Sequence, residues 1–236
     1  MSRPRNYRSI VVFFTQMLRF TQDILLALRA RANEEEAHSM SKSMRDSFDF
    51  LGVNVIRRRE ATYPIFDKFP PKSGDELAAR VSDMWVQPYR EVQYAACDYL
   101  FKHKSLLGGQ HLNFLKMLIK TRPWKDTVDT ISTSVLGDLA WRIPPIRQKV
   151  ATWIRDPNIW VRRSVILFQL QYRDHTDWDL LKSCCLHCAK DDNYYIRTGI
   201  GRALSEYARI NPNEVRHFVM DTELAPQTSQ EVLRNI

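Results

Sequence analysis

The sequence predicts an all-α fold, a right-handed solenoid of antiparallel helix pairs with a concave basic groove. Three observations predict it. Apolar residues recur at threes and fours along nearly the whole chain, the spacing of one helix face. Glycine is scarce: 7 of 236 residues, about 3% where ~7% is usual, whereas hairpins and phosphate-cradling loops depend on it. The third is an internal repeat. Asp156-Pro-Asn-Ile-Trp-Val-Arg-Arg163 matches Asp191-Asp-Asn-Tyr-Tyr-Ile-Arg-Thr198 at an offset of 35, and Tyr172 falls on Tyr207. A weaker copy, Pro88-Tyr-Arg-Glu-Val-Gln-Tyr94, lies 69 residues before Pro157, about twice that period. Periods of this length mark solenoids, because each unit can bury its apolar face only against its neighbours.

The elements follow in order. Ile10, Phe13, Phe14, Met17, Leu18, Leu25, Leu26 and Leu28 place a helix over 7–32. Asn33 caps the next one, and Glu34, Glu35 and Glu36 suit the positive end of its dipole. That helix is expected to reach about Phe50, where Leu51-Gly52-Val53-Asn54 stops it. Further helices are expected over 55–68, 74–85, 89–103, 110–121, 126–140, 144–154, 158–172, 176–190, 193–209, 212–220 and 227–235. The breaks fall at Pro70-Pro71, Pro88, Gly108-Gly109, Pro123, Pro144-Pro145, Pro157 and Pro212. Short helices with prolines at their starts are the pattern of stacked helix pairs. One repeat domain over 1–236 is expected.

Composition narrows the function classes. Hydrophobic residues at 44% and charged residues at 26% exclude a disordered or fibrous chain. Net charge is +8, which points to a polyanionic partner. The excess is +4 over 1–60, +3 over 61–122, +2 over 123–182 and −1 over 183–236. A curved basic groove suits a duplex, since phosphate contacts dominate affinity. Cys97, Cys184, Cys185 and Cys188 are too few and too clustered for a disulfide framework, so a reducing, cytoplasmic setting is expected. Cys185 and Cys188 have the spacing of zinc ligands, but no second Cys/His pair lies at the usual distance. They are expected to be core groups, with no metal and no cofactor. The apolar run at Ile10–Phe14 is too short for a signal peptide, and no membrane span is expected. Trp85, Trp141, Trp153, Trp160 and Trp178 are expected in core or inter-repeat packing. Neither phosphate-loop glycine motifs nor a Gly-x-Ser-x-Gly elbow occur.

Several strings resemble the AlkD-type alkylpurine DNA glycosylases, a HEAT-like repeat family. They are Phe50-Leu-Gly-Val-Asn54, Trp124-Lys-Asp-Thr-Val-Asp129, Leu136-Gly-Asp138, Asp156-Pro-Asn-Ile-Trp-Val-Arg-Arg163, Ile166-Leu-Phe-Gln-Leu170, Ile200-Gly201, Glu206-Tyr-Ala208 and Glu223-Leu-Ala-Pro226. The resemblance runs from about residue 22 to the C-terminus and leaves 1–21 as a helical extension. It implies a monomeric enzyme acting on double-stranded DNA that contains alkylated purines. N3- or N7-alkylated purines are cationic, so their glycosidic bond is already weak, and one carboxylate beside the sugar can stabilise the oxocarbenium-like transition state.

The resemblance also assigns residues. Asp129 matches the family's catalytic aspartate; read alone, it is a helix-surface carboxylate paired with Lys125 at i,i−4. Arg163 matches an arginine that grips backbone phosphate, and is otherwise a solvated repeat arginine. Asn54 falls at a polar DNA-facing position, or simply ends a helix. Trp124, Arg162 and Arg197, together with the run Arg57-Arg58-Arg59, are further candidates for DNA contact. The departures are Lys125 and Arg202, which replace two tryptophans that pack on the lesion's sugar. A cation ~4–6 Å from a developing oxocarbenium opposes it by roughly 3–4 kcal/mol at an effective dielectric of ~20, unless these side chains turn to phosphates. The same scaffold could therefore serve as a weakly active or inactive DNA-structure binder. A repeat protein that binds another protein is the third possibility, and the basic excess disfavours it.

Overall fold

The computed structural model describes residues 17–234. Its α-helices are α1 Arg19–Arg29, α2 Glu34–Ser43, α3 Val55–Lys68, α4 Gly74–Trp85, α5 Arg90–Lys102, α6 Leu112–Lys120, α7 Lys125–Thr130, α8 Gly137–Arg142, α9 Pro144–Thr152, α10 Ile159–Leu167, α11 Trp178–His187, α12 Tyr194–Tyr207, α13 Pro212–Asp221 and α14 Pro226–Arg234. No strand occurs among the described residues; one isolated bridge joins Asp49 to Tyr89. Residues 7–16 of the first expected helix, and most of the 1–21 extension, lie outside the described residues.

One run of contacts links helices from α1 to α14. α1 packs on α3, α3 on α5, α5 on α7, α7 on α10, α10 on α12, and α12 on α14. Of the remaining helices, α4 packs on α1 and α5, α6 on α4 and α10, α9 on α8, α11 on α10, and α13 on α12 and α14. Two clusters of buried apolar side chains run through this arrangement, one from Phe20 to Cys184 and one from Ile166 to Val232. Ile154 and Ile159 pack against both and join them.

The internal repeat has a geometric cause. Asn158 accepts from the backbone N–H of Trp160 at 2.9 Å, and its own N–H donates to Asp156 at 2.9 Å. Asn193 repeats this with Tyr195 and Asp191, both at 2.9 Å. Each Asp-x-Asn thus satisfies donors that a helix start leaves open. Trp160 and Tyr195, the aromatics that follow, pack with ring centroids 4.6 Å apart.

Two glycines answer to close approach. Gly52 has φ +78°, and a Cβ there would lie 1.9 Å from the Asn33 carbonyl oxygen. The surrounding loop is clamped by buried Glu91, which accepts from the N–H groups of Leu51, Gly52 and Val53 at 2.8–3.1 Å. A Cβ on Gly137 would lie 2.3 Å from the Phe168 carbonyl oxygen, so α8 can meet the end of α10 only without a side chain.

Some boundaries differ from the expected ones. α2 stops at Ser43, short of Phe50, because Arg45 and Asp46 adopt left-handed backbone at φ 55° and 54°. That turn drives Phe48 into the core beneath the Arg90 guanidinium, 4.1 Å from its ring centroid. α10 stops at Leu167, and Arg173 at φ 53° turns the chain before α11. Trp85, Trp153 and Trp160 are buried as expected, whereas Trp141 is exposed, edge-on to Tyr172 and His175. Cys184, Cys185 and Cys188 are buried, and desolvation pushes the Cys184 thiol up to about 12.

The paired caps make a stability prediction. Asn158→Ala and Asn193→Ala should each lower unfolding free energy by ~1 kcal/mol, read as a shift of the urea midpoint at unchanged slope.

Candidate functional site

α7 is held from its first turn. Trp124 precedes it, with its ring 5.9 Å from Phe48 and 6.1 Å from Tyr195. Asp126 accepts from the Thr127 N–H at 2.6 Å and from Arg90 of α5 at 2.7 Å. The Tyr94 hydroxyl donates to the second Asp126 oxygen. Arg90 is fully buried and also donates to the Gln93 side chain and the Arg122 carbonyl. Burial, then the Asp126 charge, raises the Tyr94 phenol above its ordinary range.

One turn later stands Asp129, only 7% exposed. Arg163 of α10 approaches it with two parallel donors, Nε to Oδ1 at 2.7 Å and Nη2 to Oδ2 at 2.8 Å. Its remaining nitrogen, Nη1, donates to the Tyr195 carbonyl and to Thr198 Oγ1 of α12. Arg163 is 0% exposed. Arg202 of α12 adds a third charge-assisted bond, Nη1 to Asp129 Oδ2 at 2.8 Å, from a side chain that is 47% exposed. Two guanidiniums therefore converge on one carboxylate, and the set carries a net positive charge.

The backbone beside Asp129 is irregular. α7 passes into a π-helical stretch, Ile131–Leu136, and then into α8. Hydroxyls reach back along this run: Thr130 to the Asp126 carbonyl at 2.8 Å, Ser132 to Val128 at 2.6 Å, and Thr133 to Asp129 at 2.9 Å. Such back-bonding competes with the helical ladder, and π turns frequently accompany functional sites. The expected single helix over 126–140 is thus three segments.

Space opens on both sides of Arg202. A cavity of about 560 Å³ is lined by Trp124, Lys125, Asp129, Thr133 and Arg202, among others. A second, of about 590 Å³, is lined by Lys125, Tyr194, Thr198, Arg202 and Arg209, with Glu206 and Glu231 at its wall. Lys125 is exposed and, like Arg202, borders both.

The expected site residues separate into two groups. Asp129, Arg163, Arg202, Lys125 and Trp124 come together. Lys125 is not the partner of Asp129; the two arginines are. Arg163, expected to grip phosphate, is buried with its donors directed at Asp129 and α12, and it borders the second cavity. Arg162 and Arg197 fold back on their own helix starts, to the Asp156 and Asp191 carbonyls at 2.9 and 3.0 Å. Arg162 also bridges to Asp191 of the next repeat at 2.6 Å. Arg58 and Arg59 pair with Asp98 of α5, and Arg57 stays exposed. Asn54 caps α3, accepting from the Ile56 and Arg57 N–H groups at 3.1 Å. Sequence reasoning missed Arg90, Tyr94 and Asp126. The signal available was the weaker repeat copy, whose register puts Tyr94 where the next copy has Arg163; both donate to a carboxylate of α7.

The geometry sets a stability expectation. Removing one partner of a buried pair strands the other charge, at a cost of ~3–5 kcal/mol. Arg163→Ala should therefore unfold at markedly lower urea, whereas Arg202→Ala, half-exposed, should shift the midpoint little; chemical denaturation followed by circular dichroism measures both.

Known proteins share this fold. The structure of a predicted DNA alkylation repair enzyme from Enterococcus faecalis superposes with a TM-score of 0.79 over 85% of this chain and 94% of that one, at 22% identity. At that identity the likeness establishes the fold. No curated protein matches the chain. The family model described as DNA alkylation repair enzyme matches residues 24–236, so Asp129, Arg163 and Arg202 lie within the matched region, and the chain belongs to the DNA alkylation repair enzyme family.

Proposed function

We propose that this chain is a monofunctional DNA glycosylase that releases cationic N3- and N7-alkylated purines from duplex DNA, with Asp129 as its catalytic residue. The carrying observation is that Asp129 lines an open cavity beside Trp124, Lys125 and Arg202, on a helix locked from both sides by Arg90 and Arg163. In this proposal the helix pairs stack as a right-handed HEAT-like solenoid, and the line of helices α3, α5, α7, α10, α12 and α14 forms its concave, DNA-facing side. The protein acts as a cytoplasmic monomer without metal or cofactor.

The chemistry is electrostatic. As the bond to a cationic base lengthens, positive charge passes from the base to the sugar ring. A fixed carboxylate near C1′ favours that charge without a proton transfer. Arg163 holds Asp129 in place with two charge-assisted bonds. The purine departs neutral, and water then adds to C1′ and gives up its proton to solvent. No general acid for a neutral leaving group stands beside Asp129, so hypoxanthine and uracil should remain uncut.

A second reading, a DNA-structure binder of little or no activity, is favoured by one specific observation. Arg163 and Arg202 together engage both oxygens of Asp129, which cancels its field at the cavity.

Release of 7-methylguanine from methylated duplex separates the two. Wild type should release it slowly, and Asp129→Asn should release none while still binding duplex. Circular dichroism must accompany that variant, because the amide leaves Arg163 buried opposite a neutral group. Wild-type protein that binds duplex and releases no base would establish the binder instead. Binding itself should weaken steeply with salt, with a log–log slope reporting several neutralised phosphates; a slope near zero would remove the electrostatic groove.

A further inference from the structure

The geometry points to Arg202 as a latch on Asp129 that a DNA phosphate opens, a role that rests on the reading of Asp129 as the catalytic carboxylate. Asp129 carries two arginines of different character. Arg163 is fully buried, bidentate and tied to a second helix. Arg202 makes one bond to Asp129 from a half-exposed side chain. Only Arg202 can leave without opening the core.

It also has somewhere to go. The cavity beyond it presents the cations Lys125 and Arg209 and the Tyr194 hydroxyl, which suit a phosphate, with Glu231 and with Glu206, the 3.3 Å partner of Arg209, at its wall. The guanidinium fork matches phosphate as it matches carboxylate, with two parallel donors. A backbone phosphate seated between Lys125 and Arg209 would therefore attract Arg202 away from Asp129. The carboxylate would keep one cation, Arg163, in place of two, and its face toward the first cavity would be open to the sugar. Lys125 borders both cavities, so it can hold the same phosphate while Arg202 turns. The carboxylate is then available only when DNA is engaged in register. The positive charge that would oppose the transition state is moved onto a phosphate by the substrate itself.

The latch is tested by two measurements on the full chain. The first needs no catalysis. In protein labelled with carbon-13 aspartate, the Asp129 carboxyl resonance is identified by its loss in Asp129→Glu. Arg202→Ala should shift this resonance, and undamaged duplex should shift the wild-type resonance in the same direction while moving that of Arg202→Ala less. The second is single-turnover release of 7-methylguanine at saturating methylated duplex. Arg202→Ala should be faster than wild type by ~10-fold, Arg202→Lys should lie between them, and Arg202→Ala should bind undamaged duplex more weakly with a salt slope lower by about one. A wild-type resonance that duplex leaves unmoved overturns the latch. So does an active wild type that Arg202→Ala does not outpace. If Asp129→Glu does not fold, the resonance shifted by Arg202→Ala identifies the site instead. Should no variant release any base, the glycosylase reading fails, and the resonance alone decides whether Arg202 opens.

Discussion

The buried pair between Arg163 and Asp129 is the interaction on which the rest of this structure depends. It joins three helices through one guanidinium: α7 through both carboxylate oxygens, and α12 through the Tyr195 carbonyl and Thr198 hydroxyl, with α10 carrying the arginine. Burying two charges has a desolvation penalty of several kcal/mol per ion, offset only where geometry is good and the remaining donors are bonded. Those conditions hold here. The pair adds little net stability relative to an apolar core, but it tolerates no other register between α7, α10 and α12. A slip of one residue on any of them would leave a buried charge unmatched. What the pair supplies is position, and what it positions is a carboxylate at the wall of a cavity.

Arg90 and Asp126 repeat the device one helix earlier. Arg90 is buried on α5 and reaches Asp126 at the start of α7. α7 has six residues, too short to be a stable helix alone. Its place is fixed by these two arginines, one at each turn. The π-helical stretch that follows breaks the helical register directly after Asp129. The irregular backbone and the arginine-held helix are therefore consecutive parts of one short segment, and the exposed Lys125 and Arg202 lie over it.

Much of the fold was legible because its signals are local. Helix starts carry Asn33, Asn158 and Asn193, and all three accept backbone N–H groups at the helices they open, whereas Asn54, read as a helix end, opens α3. The repeat of 35 residues was legible because each copy uses the same Asp-x-Asn and the same arginine folded back on it. The misplaced ends had no such signal. Arg45, Asp46 and Arg173 adopt left-handed backbone without glycine, and composition alone would continue the helix through them. The candidate site was legible in membership and not in arrangement. Asp129, Arg163 and Arg202 stand 34 and 39 residues apart in turn, so their meeting depends on packing between three helices. A sequence shows an arginine near a helix start; it does not show whether that arginine turns outward to solvent or inward to a carboxylate. Arg162 and Arg163 are adjacent, and they do different things.

The charge balance at Asp129 bears on the two positions, Lys125 and Arg202, where the resemblance led to an expectation of aromatic rings. An aromatic face favours a cationic transition state through its quadrupole and needs no counter-ion. In the free protein the guanidinium of Arg202 faces a carboxylate at 2.8 Å from a half-exposed side chain. Arg202 therefore stabilises the resting arrangement by the same contact that would hinder the reaction. Lys125 is different: it is exposed and has a path to solvent. Of the two departures, then, Arg202 bears on Asp129 directly, and Lys125 bears on it only through whatever anion it holds. The effect of the pair is not a sum of two repulsions. It depends on which anion, carboxylate or phosphate, each cation faces when DNA is bound.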